Sequence, residues 1–435
     1  MELVSSFRRL FQVIAVRMTA PSFESFVVLA TGWIFAARRT VTGMIVAAGA
    51  QEAKHHSAFH RFFANASWSL DALGWTVFSL IEPWIEGTIF LAIDDTLARK
   101  RGLKIFGVGM HHDPLLSTRK TALVNWGHSW VVLGVLVQFP FRRDRYFCLP
   151  ILFRLYLNHK AAERARRVPR TRPQLAVEML EILCRHRKNR TFHVVADSTY
   201  GGQSVLKYLP ANCDLTSRLH LDARLYAPLP ERKPGTNGRP RKRGQRLPTP
   251  RQMFEGRMER RTLDLYGRRD RVRMAQTLGR WHCALDRPLC VVAVDPLTGG
   301  RTRQAFYSTS QVADGIDLLT WYSHRWAMEQ TNQDAKGHLG FEEPQGWTRR
   351  AVERTAPMAM LLYSLIVVWF ASDGHRDYQP AFRPWYRTKR GPCFVDMLAT
   401  LRRLSVRQQV SSWGLRGPGS HKTLQTFEQT LTHAA

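Results

Sequence analysis

The sequence predicts an α/β protein: a mixed sheet with flanking helices, preceded by a helical N-terminal region and interrupted by a β-rich insertion. Three observations predict it. Two short β-rich runs, Thr88-Ile-Phe-Leu-Ala-Ile93 and Phe192-His-Val-Val-Ala196, each lead straight into aspartate. Acids at the C-terminal ends of α/β strands are where ligand groups collect. Residues 1–85 carry apolar side chains at helical spacing, and residues 227–310 shift to Pro, Gly and Arg around short strand-like pieces.

The 435 residues, enough for about two to four domains, include 64 Lys+Arg against 34 Asp+Glu, a formal charge of +30. With 44% hydrophobic residues the chain is a folded protein, not a basic tail. The charge points to a polyanionic partner: DNA, RNA or an anionic membrane surface. A membrane is not expected: the longest uncharged apolar run, Ala356 to Ala371, is shorter than the ~20 residues of a spanning helix. The first residues lack the charge–apolar–cleavage order of a signal peptide. Six scattered cysteines without a C-x-x-C fit free buried thiols in a reducing cytosol and argue against a zinc finger or disulfide framework.

Residues 1–85 read as a helical, DNA-binding region in which Phe62 and Phe63 pack while Lys54 and Arg61 can reach phosphate. Residues 86–226 hold the first part of the core. Its first strand ends at Asp94-Asp95-Thr96, Trp130–Gln138 and Tyr146–Leu152 continue an antiparallel meander, and Lys160–Arg190 forms a basic helical connector. The second acid-terminated strand meets Asp197, a helix spans Gln203 to Tyr208, and Asp214–Tyr226 is another strand. Residues 227–310 are the insertion, with strands at Thr262–Tyr266, Pro288–Val294 and Arg303–Ser308. Residues 311–375 complete the core with one helix, Asp317–Lys336, and an apolar helix, Ala351–Phe370; residues 376–435 form a C-terminal region with a short helix, Phe394–Arg403.

The helix Asp317–Lys336 carries the sharpest motif: Tyr322, Arg325, Glu329 and Lys336, spaced Y-x2-R-x3-E-x6-K. At ~100° per residue the four share an arc of about 60°, a stripe about 21 Å long. Its carboxylate can hold Mg²⁺ through oxygen. Its cations suit phosphates along a strand. The competing reading is a solvated helix face. Glu329 joins Asp94 (or Asp95) and Asp197 as three acids that would repel one another without a bound cation.

These segments resemble the DDE transposases of bacterial insertion sequences, in the branch with the Y-R-E-K signature, over about residues 86–375. The resemblance implies a ribonuclease H-like core. It implies metal-dependent cleavage of DNA at transposon ends and strand transfer into target DNA. Asp94, Asp197 and Glu329 would hold two Mg²⁺ ions, with Mn²⁺ able to substitute, and Tyr322, Arg325 and Lys336 would grip the cleaved end. The DNA-bound form is expected to be a homodimer. Asp94 fits the hydrophobic-Asp-x-Thr pattern and is preferred, while Asp95 fits a shift of one. Some members stack a flipped base on a Trp before the signature helix; Ala305 stands there, so a hairpin intermediate is not implied. The rivals are a ribonuclease H-like nuclease without strand transfer and a transposase-derived DNA-binding protein without catalysis.

Lesser signals are read in the same way. Gly238-Arg-Pro-Arg-Lys-Arg243 resembles an AT-hook, but reads better as a loop whose Arg239, Arg241, Lys242 and Arg243 touch phosphates without sequence preference. His111-His112-Asp113 lacks a third metal ligand, and His128 reads as a packed histidine.

Overall fold

The computed structural model describes residues 1–113, 116–118, 121–230, 241–265, 268–298, 301–311, 314–380 and 389–412. In chain order the helices and strands are α1 (Ser5–Ala15), α2 (Ala20–Phe35), α3 (Val41–Ala48), α4 (His56–Ala64), α5 (Leu70–Ile81), β1 (Ile89–Arg99), β2 (Gly109–His112), β3 (Val124–Phe139), β4 (Arg142–Tyr156), α6 (His159–Arg164) and α7 (Arg172–His186). There follow β5 (Phe192–Ala196), α8 (Gln203–Leu206), β6 (Cys213–Leu219), β7 (Leu225–Tyr226), α9 (Pro250–Met253), β8 (Glu259–Leu265), β9 (Arg268–Trp281), β10 (Ala284–Pro296) and β11 (Gln304–Ser308). The chain closes with α10 (Gly315–His324), α11 (Trp326–Leu339), α12 (Arg349–Ser372) and α13 (Phe394–Ser412). Two compact units result: Met1–Ile85, Asp95–Pro169 and Glu329–Ala435 form one; Glu86–Asp94 and Arg170–Met328 form the other.

In the first unit, apolar residues at helical spacing bury one stripe of each helix. Phe7, Phe11 and Ile14 of α1 do this, and the Phe7 ring meets Trp369 edge-on at 5.9 Å. Phe59, Phe62 and Phe63 of α4 are buried and Arg61 is exposed, while Lys54 pairs with Glu24 at 2.8 Å. Helix α12 is apolar almost all round. By length and composition it could cross a membrane, but 94% of its apolar window is buried. It packs on α5 and β4, and the Ser364 hydroxyl donates to the Pro150 carbonyl at 2.9 Å. Strands β3 and β4 pair antiparallel, and β2 pairs antiparallel with the start of β3. Gly74 lets α5 lie directly on β4: a Cβ there would sit 1.9 Å from the Ile151 carbonyl oxygen.

The second unit is built on a mixed sheet. The first half of β1 runs parallel to β5 in the register Ile89↔Phe192 to Ile93↔Ala196, and β5 runs parallel to β6. Antiparallel β11, β10 and β9 extend it from β6, and β7 and β8 both pair with β9. Alternation along β8–β11 turns Leu263, Val272, Met274, Val292, Val294 and Phe306 to one face, where Leu318, Leu319 and Tyr322 of α10 cover them. The Asp314 side chain caps α10 by accepting from the Ile316 and Asp317 amides.

Three expectations need correction. The first strand does not stop at its acids: β1 continues through Asp94 and Asp95 to Arg99, because Thr96, Leu97 and Ala98 are buried as a strand interior. The insertion contains an unexpected long strand, β9, whose arginines alternate with buried Val272 and Met274. Its strands also extend the sheet of β5 and β6 through the β11–β6 pairing. Asp317–Lys336 is not one helix. Helix α10 closes at Arg325 through an Arg325 amide bond to the Tyr322 carbonyl, and Met328 bonds back to Arg325 with the same tight three-residue spacing.

Candidate active site

The parallel pairing of β1 and β5 positions the two aspartates. Ile93 and Ala196 are register partners, so Asp94, within β1, and Asp197, just past the end of β5, each follow one member of a strand pair about 4.8 Å apart. Asp95, one residue on, takes the opposite side of β1. Asp197 opens a tight turn: its Oδ1 accepts from the Thr199 amide at 2.9 Å and its Oδ2 from the Thr199 hydroxyl at 3.3 Å. The Ser217 hydroxyl donates to the Asp197 carbonyl at 2.8 Å. The turn passes so close to β6 that a Cβ on Gly201 would lie 2.1 Å from Ser217 Oγ. The sequence signal for this support is Ser-Thr-Tyr-Gly-Gly directly after the acid.

Arg325 meets Asp94, its Nη1 3.1 Å from Asp94 Oδ2, with side chains only 18% and 17% exposed. Sequence reasoning named both residues but did not pair them. Aromatic contacts tie α10, the helix that ends at Arg325, to the sheet. Phe90 and His193 are cross-strand partners stacked at 5.2 Å, and Trp321 of α10 sits edge-on to His193 at 4.5 Å. His193 is buried, shares a 2.7 Å hydrogen bond with Thr216 Oγ1, and burial lowers its pKa to about 4. Burial likewise lowers His324, at the end of α10, to about 4. Tyr322 is placed in the core, 3% exposed and 4.7 Å from the Phe306 ring, with the guanidinium carbons of Arg218 and Arg325 5.8 and 5.9 Å from its ring centre.

In the other unit, Glu329 lies half-buried in the first turn of α11. Lys336 donates to the Leu97 carbonyl at 2.7 Å and lies 3.6 Å from Glu342. Burial lowers its pKa, against the pull of Glu342. Lys100 donates to the carbonyls of Glu342 and Pro344 at 2.8 Å each, and burial lowers it to about 8. Asp113 binds Arg99 at 2.8 Å and Asn125 at 2.7 Å, and His111 is buried. His128 is a packed residue: its Nε2 lies 2.8 Å from the Phe106 carbonyl, and burial lowers it to about 4. Arg241, Lys242 and Arg243 are exposed; Arg239 lies outside the described residues.

Asp94 and Asp197 fit a hard divalent cation in donor type, since Mg²⁺ commonly takes one or two carboxylates and fills its remaining positions with water and phosphate. Among the described residues no group of three or more His, Cys, Asp or Glu side chains is assembled to hold a metal ion.

A family model described as DDE superfamily endonuclease matches residues 27–277, a span that contains both aspartates and ends before Glu329. No curated protein matches the chain. Among solved structures, the piggyBac transposase synaptic complex with hairpin DNA aligns with TM-score 0.41 and 10% identity over 99% of this chain and 81% of that one. With more than half of its length matched, the chain belongs to the DDE superfamily endonucleases.

Proposed function

We propose that the protein is a metal-dependent DNA transposase of the Y-R-E-K branch, cutting DNA at the ends of its element and joining the freed 3′-hydroxyls to target DNA. The observation that carries this is that Asp94 and Asp197 each follow the last register pair of parallel β1 and β5, Ile93 and Ala196, within a DDE family match. A ribonuclease H-like core is supported by the antiparallel β2–β3–β4 meander of one unit and the parallel β1–β5–β6 order of the other.

In this reading Asp94 and Asp197 hold Mg²⁺, with Glu329 as the third carboxylate, and Mn²⁺ can substitute. The cation, when bound, polarises the scissile phosphate and lowers the pKa of an attacking oxygen. Thr199 and Ser217 fix the orientation of the Asp197 segment. Arg325 neutralises Asp94 in the absence of DNA and turns to the phosphate of the cleaved end when DNA enters. Lys336 and the exposed Arg241, Lys242 and Arg243 add phosphate contacts, and two copies act together on a pair of ends in the bacterial cytoplasm.

The test uses a duplex carrying the DNA that flanks the coding sequence. Wild-type protein should nick it in Mg²⁺ and join the product to a plasmid. Asp197→Asn and Glu329→Gln should each abolish nicking while leaving binding intact. Nicking without joining would favour a nuclease. Near wild-type nicking by either variant would remove that acid from the site.

A further inference from the structure

We propose that the outer face of β8 and β9, turned away from α10, docks the backbone of duplex DNA; this rests on the DNA reading above and assigns it a surface. Leu263, Val272 and Met274 face the core against α10. Alternation turns Arg260 of β8 and Arg269, Arg271 and Arg273 of β9 to the other side. Arg260, Arg269 and Arg271 are exposed. The register sets Arg260 directly opposite Arg273, and Arg273 opposite Asp295 of β10. Asp295 is shared, since Arg273 pairs with it and Arg303 lies 3.4 Å from it. One cross-strand row therefore holds three guanidinium groups and a single carboxylate.

Like charges directly opposite on a sheet destabilise it, and a surface that serves only solubility mixes its signs. Asp264 stands opposite Arg269 in the register, but Arg260 against Arg273, with exposed Arg271 opposite Thr262, leaves the face with an excess of positive charge organised for an external anion. The shape of the array selects a duplex. At two residues per step the β9 arginines repeat every ~6.8 Å. Over the ~14 Å from Arg269 to Arg273 a duplex offers about eight phosphate charges. Guanidinium groups meet phosphate through charge, so the face would position DNA without reading its sequence.

The experiment compares wild type with the double variant Arg260→Gln, Arg271→Gln in the full chain. Binding to a short random-sequence duplex is measured by fluorescence anisotropy in EDTA across a salt series. The slope of log affinity against log salt should fall by about 1.8. Affinity at low salt should fall about tenfold or more. The variant Arg260→Lys, Arg271→Lys should restore the slope, which a merely structural role would not predict. An unchanged slope in the glutamine variant would overturn the proposal, as would equal competition by poly-glutamate at matched charge. Asp197→Asn should keep the wild-type slope. If Asp197→Asn loses nicking while the glutamine variant binds as wild type, the surface assignment fails and the catalytic reading stands.

Discussion

Replacing Arg325 by glutamine should make the protein's stability depend on divalent cations. Asp94 and Asp197 each directly follow the last register pair of β1 and β5, Ile93 and Ala196. Two carboxylates held at the spacing of neighbouring strands, ~5 Å, would repel by roughly 3 kcal/mol at an effective dielectric near 20. Arg325 offsets this from 3.1 Å, with both partners of its ion pair less than a fifth exposed. After desolvation, a charged hydrogen bond of this kind contributes about 1.5–3 kcal/mol. At ~2.1 cal/mol/K per residue, a chain of this length should lose about 2–3 °C in melting temperature in EDTA. Added Mg²⁺ should restore most of that loss in Arg325→Gln and shift the wild type less, because the wild-type site already holds a counter-charge. Differential scanning calorimetry in EDTA and in Mg²⁺ reads both effects. In the double variant Arg325→Gln, Asp197→Asn the Mg²⁺-dependent recovery should disappear. An Arg325→Gln melt identical to wild type in EDTA would refute the ion-pair argument. A melt insensitive to Mg²⁺ in the single variant would refute the two aspartates as a cation site.

Two further outcomes follow from buried groups. His128, His193 and His324 are each held near pKa 4 by burial, against an ordinary 6.5. The unfolded chain therefore takes up protons that the folded chain refuses. Their stabilisation is complete above pH 6.5 and is lost as pH falls from 6.5 towards 4, by up to about 3 kcal/mol per residue; urea unfolding across that window should show His193→Gln with a shallower loss than wild type. Gly74→Ala should destabilise the first unit by about 3 kcal/mol or more, since its Cβ would lie 1.9 Å from the Ile151 carbonyl oxygen, a backbone atom that cannot rotate aside; soluble yield and thermal melts check this, and a wild-type melt would show that α5 can shift at no cost.

The two strands that lead to aspartates were legible because of how they are buried. Phe192–Ala196 is buried on every residue, so its apolar run and its length coincide. Strand β1 was read too short because two carboxylates resemble a strand end, whereas both are half-buried within a strand that continues beneath them. Strand β9 was missed because arginine at every second position hides the alternation that Val272 and Met274 carry. The Y-R-E-K spacing was legible, but the helix break at Arg325 was not: no Gly or Pro marks it, and helical periodicity survives a one-residue turn. Nor can spacing reveal that the Tyr322 ring is buried against Phe306, since that depends on a strand distant in sequence.

Helix α12 has a consequence in time. The surface of β4 that it covers is complete by Tyr156, and the helix begins only at Arg349. At ~5–20 residues per second, ribosomal synthesis leaves an interval of roughly 10–40 s between the two. For that interval the growing chain carries a strand pair whose main apolar cover does not yet exist, and then releases a helix as apolar as a membrane span. Chaperone occupancy during synthesis should therefore peak before residue 349 emerges and fall once 372 has cleared the ribosome, making the yield of folded protein sensitive to elongation speed through this stretch.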